Sequence, residues 1–380
     1  MRGMFALLSL YAIPFIEALV LALLLTPVTI WLAPKIGYLD HPGHRKVHDR
    51  PKPVLGGLGI FAAFQAVLLG NLWLSGLVAR LPFPADSFLA ELMGEVRVHQ
   101  AGISFIRGQL SGFILAGWMV FALGLFDDKR GMHPLLKLSG QLLAGAILFY
   151  FGIRIDFLYE ISPAISAVTT MLWIAMVANA FNWIDNMDGL CAGIAAIACL
   201  FFAMVAHQVD AQVFMVLAFL TLAGACTGFL YYNSHPSRLF MGDSGSMFIG
   251  YNVAALSVLA SYTTSHTGDG LAFFIPLVIR AIPLFDMCTV IAIRLKRGKP
   301  IYLGDKNHIS HRLVDLGLTH RQAVSMIYLF TICTGMGALL LHRLNTTLRI
   351  IALIQVAVIF LVILLLERVP PRGRNGAVGP

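Results

Sequence analysis

The chain has 380 residues, of which 58% are hydrophobic and only 12% are charged, and its mean hydropathy is +0.81. Soluble domains carry roughly 25% charged residues, so this chain has too little charge to cover a water-facing surface. The net charge is +8, but the basic residues cluster in short stretches between apolar runs, as membrane topology requires. The composition excludes a soluble enzyme, a disordered chain and a nucleic-acid-binding module. It predicts an all-α polytopic integral membrane protein embedded in a lipid bilayer.

Apolar windows predict about eleven transmembrane helices. A helix needs roughly 20 apolar residues to cross the hydrocarbon layer, and the windows of about that length are 7–33, 55–79, 107–126, 135–152, 163–181, 188–206, 211–232, 245–262, 271–293, 322–341 and 347–366. They predict a single transmembrane domain over residues 1–366 and a flexible tail over 367–380. The five cysteines all lie in apolar runs, so neither a disulfide framework nor a zinc site is predicted.

The distribution of basic residues predicts the orientation of the chain. Nineteen of the 27 Lys and Arg residues, including every lysine, lie in the tail and in alternating loops at 34–54, 127–137, 182–189, 233–244 and 294–321. Cytoplasmic loops carry an excess of Lys and Arg, so these loops are expected in the cytoplasm, with the N-terminus outside and the C-terminus inside. The polar motifs fall in the same loops, which predicts one composite site on the cytoplasmic side.

The third predicted span ends in two adjacent acids, Asp127 and Asp128. One interpretation is a solvated helix end compensated by Lys129 and Arg130. Against it, the helix dipole disfavours anions at a C-terminus, and adjacent carboxylates oppose each other's ionisation. A bound cation, or a proton to be transferred, removes both penalties. The pair is therefore a candidate catalytic site, and Asp127 is also a candidate metal ligand.

Three polar residues at helical spacing follow the fifth span: Asn182, Asp185 and Asp188. Residues three apart share a helix face, so the three would form one polar surface if the helix continued. The alternative is capping, in which Asn182 or Asp185 begins the sixth span and Gly189 eases the turn. Capping accounts for one of the three residues, so a substrate-binding role is predicted for the set.

A glycine-flanked acid, Asp243, begins the eighth span within the motif F-M-G-D-S-G-S at 240–246. Glycines allow close backbone approach, and a helix N-terminus offers free N–H groups to a phosphate. Because Mg²⁺ prefers one or two carboxylates plus substrate phosphates, Asp243 is a predicted metal ligand. The alternative is an ordinary helix N-cap with small residues for packing.

The basic loop at 294–321 contains two histidines three residues apart, His308 and His311, close to Asp305. Taken alone, such a run of charge is most often a solvated loop. The two histidines beside an acid favour contacts with phosphate or proton transfer. Catalytic roles are therefore predicted for both histidines.

Together, these motifs resemble those of the polyprenyl-phosphate N-acetylhexosamine-1-phosphate transferases. The resemblance runs from about Asp40 to Gln322 and is closest to the undecaprenyl-phosphate N-acetylglucosaminyl 1-phosphate transferase branch. That branch carries a D-x-P-x-x-R-K-x-H loop, which matches Asp40, Pro42, Arg45, Lys46 and His48. The resemblance implies ten or eleven transmembrane helices around a cytoplasmic active-site cleft, in the inner membrane of a bacterium.

The resemblance also implies a reaction, in which an N-acetylhexosamine 1-phosphate, most simply N-acetylglucosamine 1-phosphate, passes from a UDP-sugar to undecaprenyl phosphate. It implies Mg²⁺ dependence, with Mn²⁺ as the alternative metal, and release of UMP. Asp127 and Asp128 match the family's paired acids, and Asp243 matches its metal-binding acid. The predicted substrate-binding residues are Arg45, Lys46, His48, Asn182, Asp185, Asp188, Asn233, Arg294 and Phe240, the last where the family stacks an aromatic ring on uracil.

One departure concerns the last loop, where the branch usually reads H-x-H-H. Here Ser310 replaces the middle histidine, whereas His308 and His311 keep their places. An essential role is therefore expected for the two histidines and not for position 310.

Two alternatives stay open. The phospho-N-acetylmuramoyl-pentapeptide transferases are the nearest rival, but their last loop typically has three consecutive histidines and usually lacks the R-K-x-H loop. A secondary transporter is the rival of another class, because intramembrane charges such as Arg280 and Asp286 often mark transport paths. Transporters place their sites at the midplane of paired repeats, whereas the acids here lie at span ends. The sequence allows a homodimer and does not name the sugar.

Overall fold

A computed structural model describes residues 2–40, 51–78, 88–209, 212–260, 262, 274–343 and 346–366. The described chain forms helices α1 (Arg2–Ile36), α2 (Gly56–Val78), α3 (Phe88–Phe105), α4 (Arg107–Arg130), α5 (Pro134–Tyr150), α6 (Asp156–Ile161), α7 (Pro163–Ile184), α8 (Leu190–Gln208), α9 (Val213–Asn233), α10 (Gly242–Leu259), α11 (Ile275–Ile279), α12 (Ala281–Lys296), α13 (Ile309–Asp315), α14 (His320–Arg343) and α15 (Thr346–Leu366). Two-residue strands, β1 (Leu39–Asp40) and β2 (Lys52–Pro53), pair antiparallel. The predicted all-α fold class is confirmed.

Eight helices in the described part of the chain are long and apolar enough to cross a membrane: α1, α2, α4, α7, α8, α9, α14 and α15. The protein is therefore a polytopic membrane protein, as predicted. The predicted tail over 367–380 lies outside the described residues, as do Arg45, Lys46 and His48.

The other three predicted windows also contain helices, but with different properties. Helix α5 has only 17 residues. Helix α10 begins with a polar G-D-S-G-S segment and is almost entirely enclosed by protein, so it can carry polar residues without exposing them to lipid. The window at 271–293 is divided into α11 and α12 at Arg280. The count of eleven spans stays a prediction.

The core of the bundle lies around α8, α9 and α10, whose buried faces contain many small residues. A Cβ atom added to Gly250 of α10 would lie 2.7 Å from the Cα atom of Ala178 in α7. Such close backbone approach is how membrane helices pack without a hydrophobic driving force between them. Helices α1 and α15 are the most exposed of the long helices.

Two polar stretches between the spans are also partly helical. The stretch at 80–106 is too polar for a span, yet it contains α3, which packs against α1. The basic loop at 294–321 contains the short helix α13, which carries His311. Periodicity within a polar segment is a weaker signal than a long apolar window, so the span criterion did not detect these helices.

Candidate functional site

Four helices bring polar side chains together around the amine of Lys137. Its Nζ atom lies 2.9 Å from Asp127 Oδ2 and also contacts Asp243 Oδ2. It donates a third hydrogen bond, at 3.0 Å, to Asn182 Oδ1. Asp127 ends α4, Lys137 lies in the first turn of α5, Asn182 is near the end of α7 and Asp243 begins α10. Residues far apart in sequence therefore form one buried charge cluster.

Sequence reasoning missed Lys137 as a site residue and counted it only as a positive-inside charge. The available signal was a single lysine near the start of an otherwise apolar helix. An ammonium group that is removed from water needs nearby anions, so this lysine could have been predicted to contact the acids. The turn between α4 and α5 positions it: Gly131 adopts a φ of +66°, and Pro134 begins α5 at a position where its missing N–H costs nothing.

Asp127 and Asp128 are adjacent but point to different partners. Asp127 Oδ1 accepts a hydrogen bond from the N–H of Met132 at 2.6 Å, and Oδ2 faces Lys137. Asp128 accepts the N–H groups of Asp243 at 2.6 Å and Ser244 at 3.0 Å. Asp128 therefore caps α10, and the expectation that these first N–H groups are free to bind a phosphate is wrong.

The close approach of α4 to α10 depends on small residues. A Cβ atom on Gly124 would lie 2.5 Å from Ser244 Cα and 2.6 Å from Ser244 N. Gly242 has a φ of +76°, a conformation that only glycine adopts without strain. A Cβ atom at Gly242 would also collide with the Asp128 carboxylate. These glycines allow the turn that carries Asp243 to lie directly on the end of α4.

Asn182 holds Asp243 from the opposite side. Its Nδ2 atom donates to Asp243 Oδ1 at 2.8 Å and to Ser246 Oγ at 2.9 Å. The Asp243 carboxylate thus contacts the Asn182 amide and the Lys137 amine, which also pairs with Asp127, and these contacts fix its position. The motifs of Asn182 and Asp243 were predicted to form one composite site, and this hydrogen bond joins them directly.

The segment from Asp185 to Asp188 is not a continued helix, so the expected shared helix face is wrong for these residues. Helix α7 ends at Ile184, and Gly189, with a φ of +79°, precedes α8 without a side-chain cap. The capping alternative is therefore also wrong for Asn182 and Asp185. The turn projects both acids into the cleft.

The two acids of this turn differ in their surroundings. Burial would raise the pKa of Asp188, but hydrogen bonds from Ser237 Oγ at 2.7 Å, from Ser237 N at 3.0 Å and from His235 hold it below its ordinary value. Burial raises the pKa of Asp185 well above its ordinary value, and the nearby Asp243 and Asp128 raise it further. Asp188 is a structural anion, whereas Asp185 is the more easily protonated acid.

Asn233 and Tyr328 hold the glycine of this turn. Asn233 is buried; its Oδ1 atom accepts the N–H of Gly189 at 2.9 Å, and its Nδ2 atom donates to Leu239 O at 3.0 Å. The hydroxyl of Tyr328 donates to Gly189 O. Both residues stabilise the turn, and substrate binding by Asn233 stays a prediction.

Phe240 lies at the mouth of the cleft beside Lys52. The Lys52 amine is 4.9 Å from the centroid of the Phe240 ring and donates to Ser237 Oγ at 3.0 Å. The backbone of Phe240 is fixed on both sides: its N–H donates to Pro53 O at 2.8 Å, and its carbonyl accepts from Gly56 N at 3.0 Å. The backbone bonds therefore hold Phe240 at the lining of the cleft.

The basic loop contributes an arginine and the two histidines. Arg294 is buried, pairs with Asp305 at 3.1 Å and lies 4.8 Å from the ring centroid of Trp183. Burial would raise the pKa of Asp305, but Arg294 and the groups of Asn307 lower it to about 2. Burial and the nearby His308 and Lys306 lower the pKa of His311.

These side chains line one cleft of about 810 Å³. The predicted site residues that line it are Asp127, Asp128, Asp185, Asp188, Asn233, Phe240, Asp243, Arg294, His308 and His311. Asn182 contacts Asp243 directly beside them. The structure therefore brings the predicted residues of its described ranges together.

The donor set of the cleft fits a magnesium ion that is completed by its substrate. Within the described ranges, no group of three or more His, Cys, Asp and Glu residues is arranged to hold a metal alone. Asp127 and Asp243 share the same ammonium group, so they could also face one cation. Mg²⁺ commonly uses one or two carboxylates and takes its other ligands from phosphates and water. Asp243 and Asp127 are the residues that would hold it.

The intramembrane charges that suggested a transporter have local partners. Arg280 is fully buried at the break between α11 and α12 and donates to Pro276 O, Val253 O and Ser257 Oγ. Asp286 is paired with His308. Arg280 thus stabilises broken helix ends, and Asp286 contacts His308, which lines the cleft described above.

Comparison with known proteins identifies the family. Residues 110–261 match the model of glycosyl transferase family 4. A probable undecaprenyl-phosphate N-acetylglucosaminyl 1-phosphate transferase of Bacillus subtilis is 31% identical, covering 87% of this chain and 84% of the relative. A decaprenyl-phosphate N-acetylglucosaminephosphotransferase of Mycobacterium tuberculosis is 30% identical over 81% and 76%. An undecaprenyl-phosphate alpha-N-acetylglucosaminyl 1-phosphate transferase of Escherichia coli is 26% identical over 78% and 75%.

These matches confirm the resemblance inferred from the motifs. They cover most of this chain and most of each relative. The chain therefore belongs to glycosyl transferase family 4 and is a membrane-bound sugar-phosphate transferase.

Proposed function

We propose that the protein transfers N-acetylglucosamine 1-phosphate from UDP-N-acetylglucosamine to a polyprenyl phosphate, undecaprenyl phosphate in the first instance, and releases UMP. The relatives from three bacteria are named for transfer to undecaprenyl or decaprenyl phosphate. The observation that carries the proposal is the direct contact of Lys137 and Asn182 with Asp127 and Asp243, the two acids of this cluster that line the cleft.

The chemistry of this cluster suits phosphoryl transfer. Both substrates are anionic, so bringing a lipid phosphate to a diphosphate is opposed by charge repulsion. Arg294 lines the cleft, and Lys137 contacts its acids Asp127 and Asp243, so both supply fixed positive charge at the site. Preorganised charge is the main contribution to phosphoryl-transfer catalysis. When bound, Mg²⁺ would neutralise the diphosphate and stabilise the leaving group. We infer a dependence on Mg²⁺, for which Mn²⁺ is the expected substitute.

Asp127 and Asp128 are the two candidates to accept the proton of the lipid phosphate. Both oxygens of Asp128 accept N–H groups of α10, and both oxygens of Asp127 are engaged by the N–H of Met132 and the amine of Lys137. The second pKa of a phosphate monoester is about 6, so a monoprotonated acceptor is common near neutrality. In the proposed step, its proton moves to one of these two acids while a phosphate oxygen attacks the sugar-bound phosphorus.

The position of attack decides the nucleotide product. Attack at the sugar-bound phosphorus breaks the bond within the diphosphate and expels UMP, whereas attack at the anomeric carbon would expel UDP. Acidic and basic side chains line the cleft in which the phosphates would bind. Charged groups around the phosphates favour attack at phosphorus. The product is then a polyprenyl diphosphate sugar.

We propose that the uridine binds beside Phe240 and the turn that carries Asp185 and Asp188. The backbone of Phe240 is fixed at the lining of the cleft, its position matches the family's uracil-stacking aromatic residue, and Asp185 is a half-buried acid close to the charge cluster. Arg45, Lys46 and His48 are proposed to contact the anionic substrates on the basis of the family motif. The lipid chain of the acceptor would extend from the cleft into the bilayer.

The location proposed for the protein is the bacterial inner membrane, with the cleft and the C-terminus in the cytoplasm and the N-terminus outside. The Lys/Arg asymmetry between the two sets of loops supports this orientation. Labelling of single cysteines introduced near Asp128, Asp243 and His308 tests it, and labelling from the periplasmic side would contradict it. A homodimer stays a prediction that the described contacts leave untested.

The nucleotide product tests the proposed reaction. Purified protein in detergent is incubated with UDP-N-acetylglucosamine and undecaprenyl phosphate, with Mg²⁺ or with a chelator, and the nucleotides are separated by chromatography. We expect UMP only when lipid and divalent cation are both present, and a strong loss with Asp243→Asn. Release of UDP, or turnover without a divalent cation, would refute the assignment.

A further inference from the structure

The proposed reaction does not use Asp286, a buried carboxylate that contacts His308 at the cleft. Its side chain is 1% exposed and lies on α12. Resting on the proposed function, we propose that Asp286 is a positioning residue that holds the His308 ring with its Nε2 atom facing the cleft, ready to contact a substrate phosphate.

Both oxygens of Asp286 are engaged by the segment that carries His308. Asp286 Oδ2 lies 2.7 Å from His308 Nδ1, and Oδ1 accepts the backbone N–H of Ile309 at 2.7 Å. The second bond fixes the backbone at the start of α13, and the first fixes the rotation of the ring. A carboxylate with two such bonds restrains both position and orientation of the imidazole.

This arrangement determines which ring nitrogen is available to a ligand. An ionised carboxylate only accepts hydrogen bonds, so Nδ1 carries the proton that faces Asp286. Nε2, on the opposite side of the ring, is then the atom left for the cleft, which His308 lines. The tautomer follows from the partner of the other nitrogen, as in histidines that bind metals or act in catalysis.

The part of the cleft around His308 is rich in basic residues. His308 is only 5% exposed, and the other basic residues that line the cleft are Lys52, His235, Arg294, Lys306, His311 and His320. Asp286 is the buried carboxylate in contact with the His308 ring. The pair therefore fixes the imidazole among groups that suit a phosphate.

A double-mutant cycle separates this role from a general structural one. The variants are Asp286→Asn, His308→Ala and the combination, each assayed for kcat and KM with saturating lipid. A carboxylate behind a ligating histidine contributes about 10- to 100-fold, and we expect Asp286→Asn to lower kcat by that order with little change in the KM for UDP-sugar. In the double variant kcat should be within about twofold of His308→Ala, since the two residues act as one unit.

Chemical rescue of a His308 variant by free imidazole tests the orientation of the ring without changing Asp286. His308→Gly leaves the space of the missing imidazole ring beside the cleft. Free imidazole in that space can donate one N–H to Asp286 and present its other nitrogen to the cleft. We expect imidazole to restore part of kcat and 1-methylimidazole, which has no N–H group, to restore none. Rescue by both compounds, or multiplicative losses in the cycle, would overturn the proposal.

Two controls make the outcome specific. Asp156→Asn removes an exposed acid whose partner is Arg154; neither residue lines the cleft, and the variant should leave kcat unchanged. The wild-type protein is assayed in parallel for UMP release. If it releases no UMP, the proposed function fails; if it does so while Asp286→Asn keeps wild-type kcat, only the role of Asp286 fails.

Discussion

Replacing Gly124 by alanine should displace the turn that carries Asp243. The added Cβ atom would lie 2.5 Å from Ser244 Cα, 2.6 Å from Ser244 N and 2.7 Å from the carbonyl carbon of Asp243. Carbon atoms in contact prefer about 3.5–4.0 Å, so α4 and α10 must separate by roughly 1 Å. All three atoms belong to the backbone, so no flexible side chain can relieve the collision.

The expected cost has two parts. Overpacking of a tight interface destabilises a fold by about 1–3 kcal/mol, and a misplacement of about 1 Å at a reacting group can lower the rate about 10²-fold. The displaced turn also breaks the bonds from Asp128 to the first N–H groups of α10. We therefore expect a lower thermal midpoint in detergent and a kcat for UMP release reduced about 100-fold.

Gly108→Ala is the matched control because it lies in the same helix, with no atom within 4 Å of the added Cβ. Alanine favours a helix over glycine by up to about 1 kcal/mol, so the control should keep or slightly raise the thermal midpoint and leave kcat unchanged. Wild-type turnover in Gly124→Ala, or equal losses in both variants, would refute the reasoning.

Three further predictions follow from other contacts of the cleft. Lys137→Met removes the shared cation from Asp127 and Asp243 and should lower kcat about 10²-fold, measured as initial rates of UMP release; an unchanged kcat would contradict the role of the amine. The Asp305 carboxylate has its pKa lowered from 3.8 to about 2, so its pairing with Arg294 should add stability above about pH 4 that is lost as the pH falls towards 2. Thermal midpoints of wild type and Asp305→Asn should therefore differ at neutral pH and converge at acidic pH, and a constant difference would contradict this. Ser310 is buried and its hydroxyl donates to Asn186 Oδ1, so Ser310→Ala should raise the KM for UDP-sugar, whereas Ser310→Thr, which keeps the hydroxyl, should raise it less; equal KM values in all three proteins would show that this bond does not matter.

The expectation for Ser310 differs from the interpretation of its motif. The departure from H-x-H-H suggested that position 310 has no essential role. In the structure, Ser310 connects α13 to the turn between α7 and α8 through Asn186. The serine that replaces the middle histidine of H-x-H-H still makes a specific hydrogen bond. A comparison of residue types cannot reveal this bond.

The composition and the apolar windows were sufficient to predict the fold class, and the motif positions were sufficient to predict which acids share a cleft. Alternating spans place every second loop on one side of a bundle, so Asp127 and Asp243 could be grouped without knowing the helix packing. The local turn at Asp185 could not be predicted, because helical spacing and an actual helix end give the same sequence pattern. Its geometry depends on Gly189, Asn233 and Tyr328.

Lys137 and Asp286 show why the remaining site residues were missed. Each is an isolated charge in an apolar window, and its partner lies in a different segment of the chain: Lys137 contacts Asp243, 106 positions away, and Asp286 contacts His308, 22 positions away. Isolated charges are equally compatible with topology signals or transport paths. Only the packing of the helices identifies their partners.

The fate of the sugar-bound phosphorus tests the central claim most directly. UDP-N-acetylglucosamine labelled at that phosphorus is incubated with undecaprenyl phosphate, Mg²⁺ and the purified protein, with Asp243→Asn as the matched inactive control. The account predicts that the label passes entirely into the lipid product while unlabelled UMP is released. Label in the released nucleotide would mean that the bond at the anomeric carbon had broken instead, and this result would contradict the account.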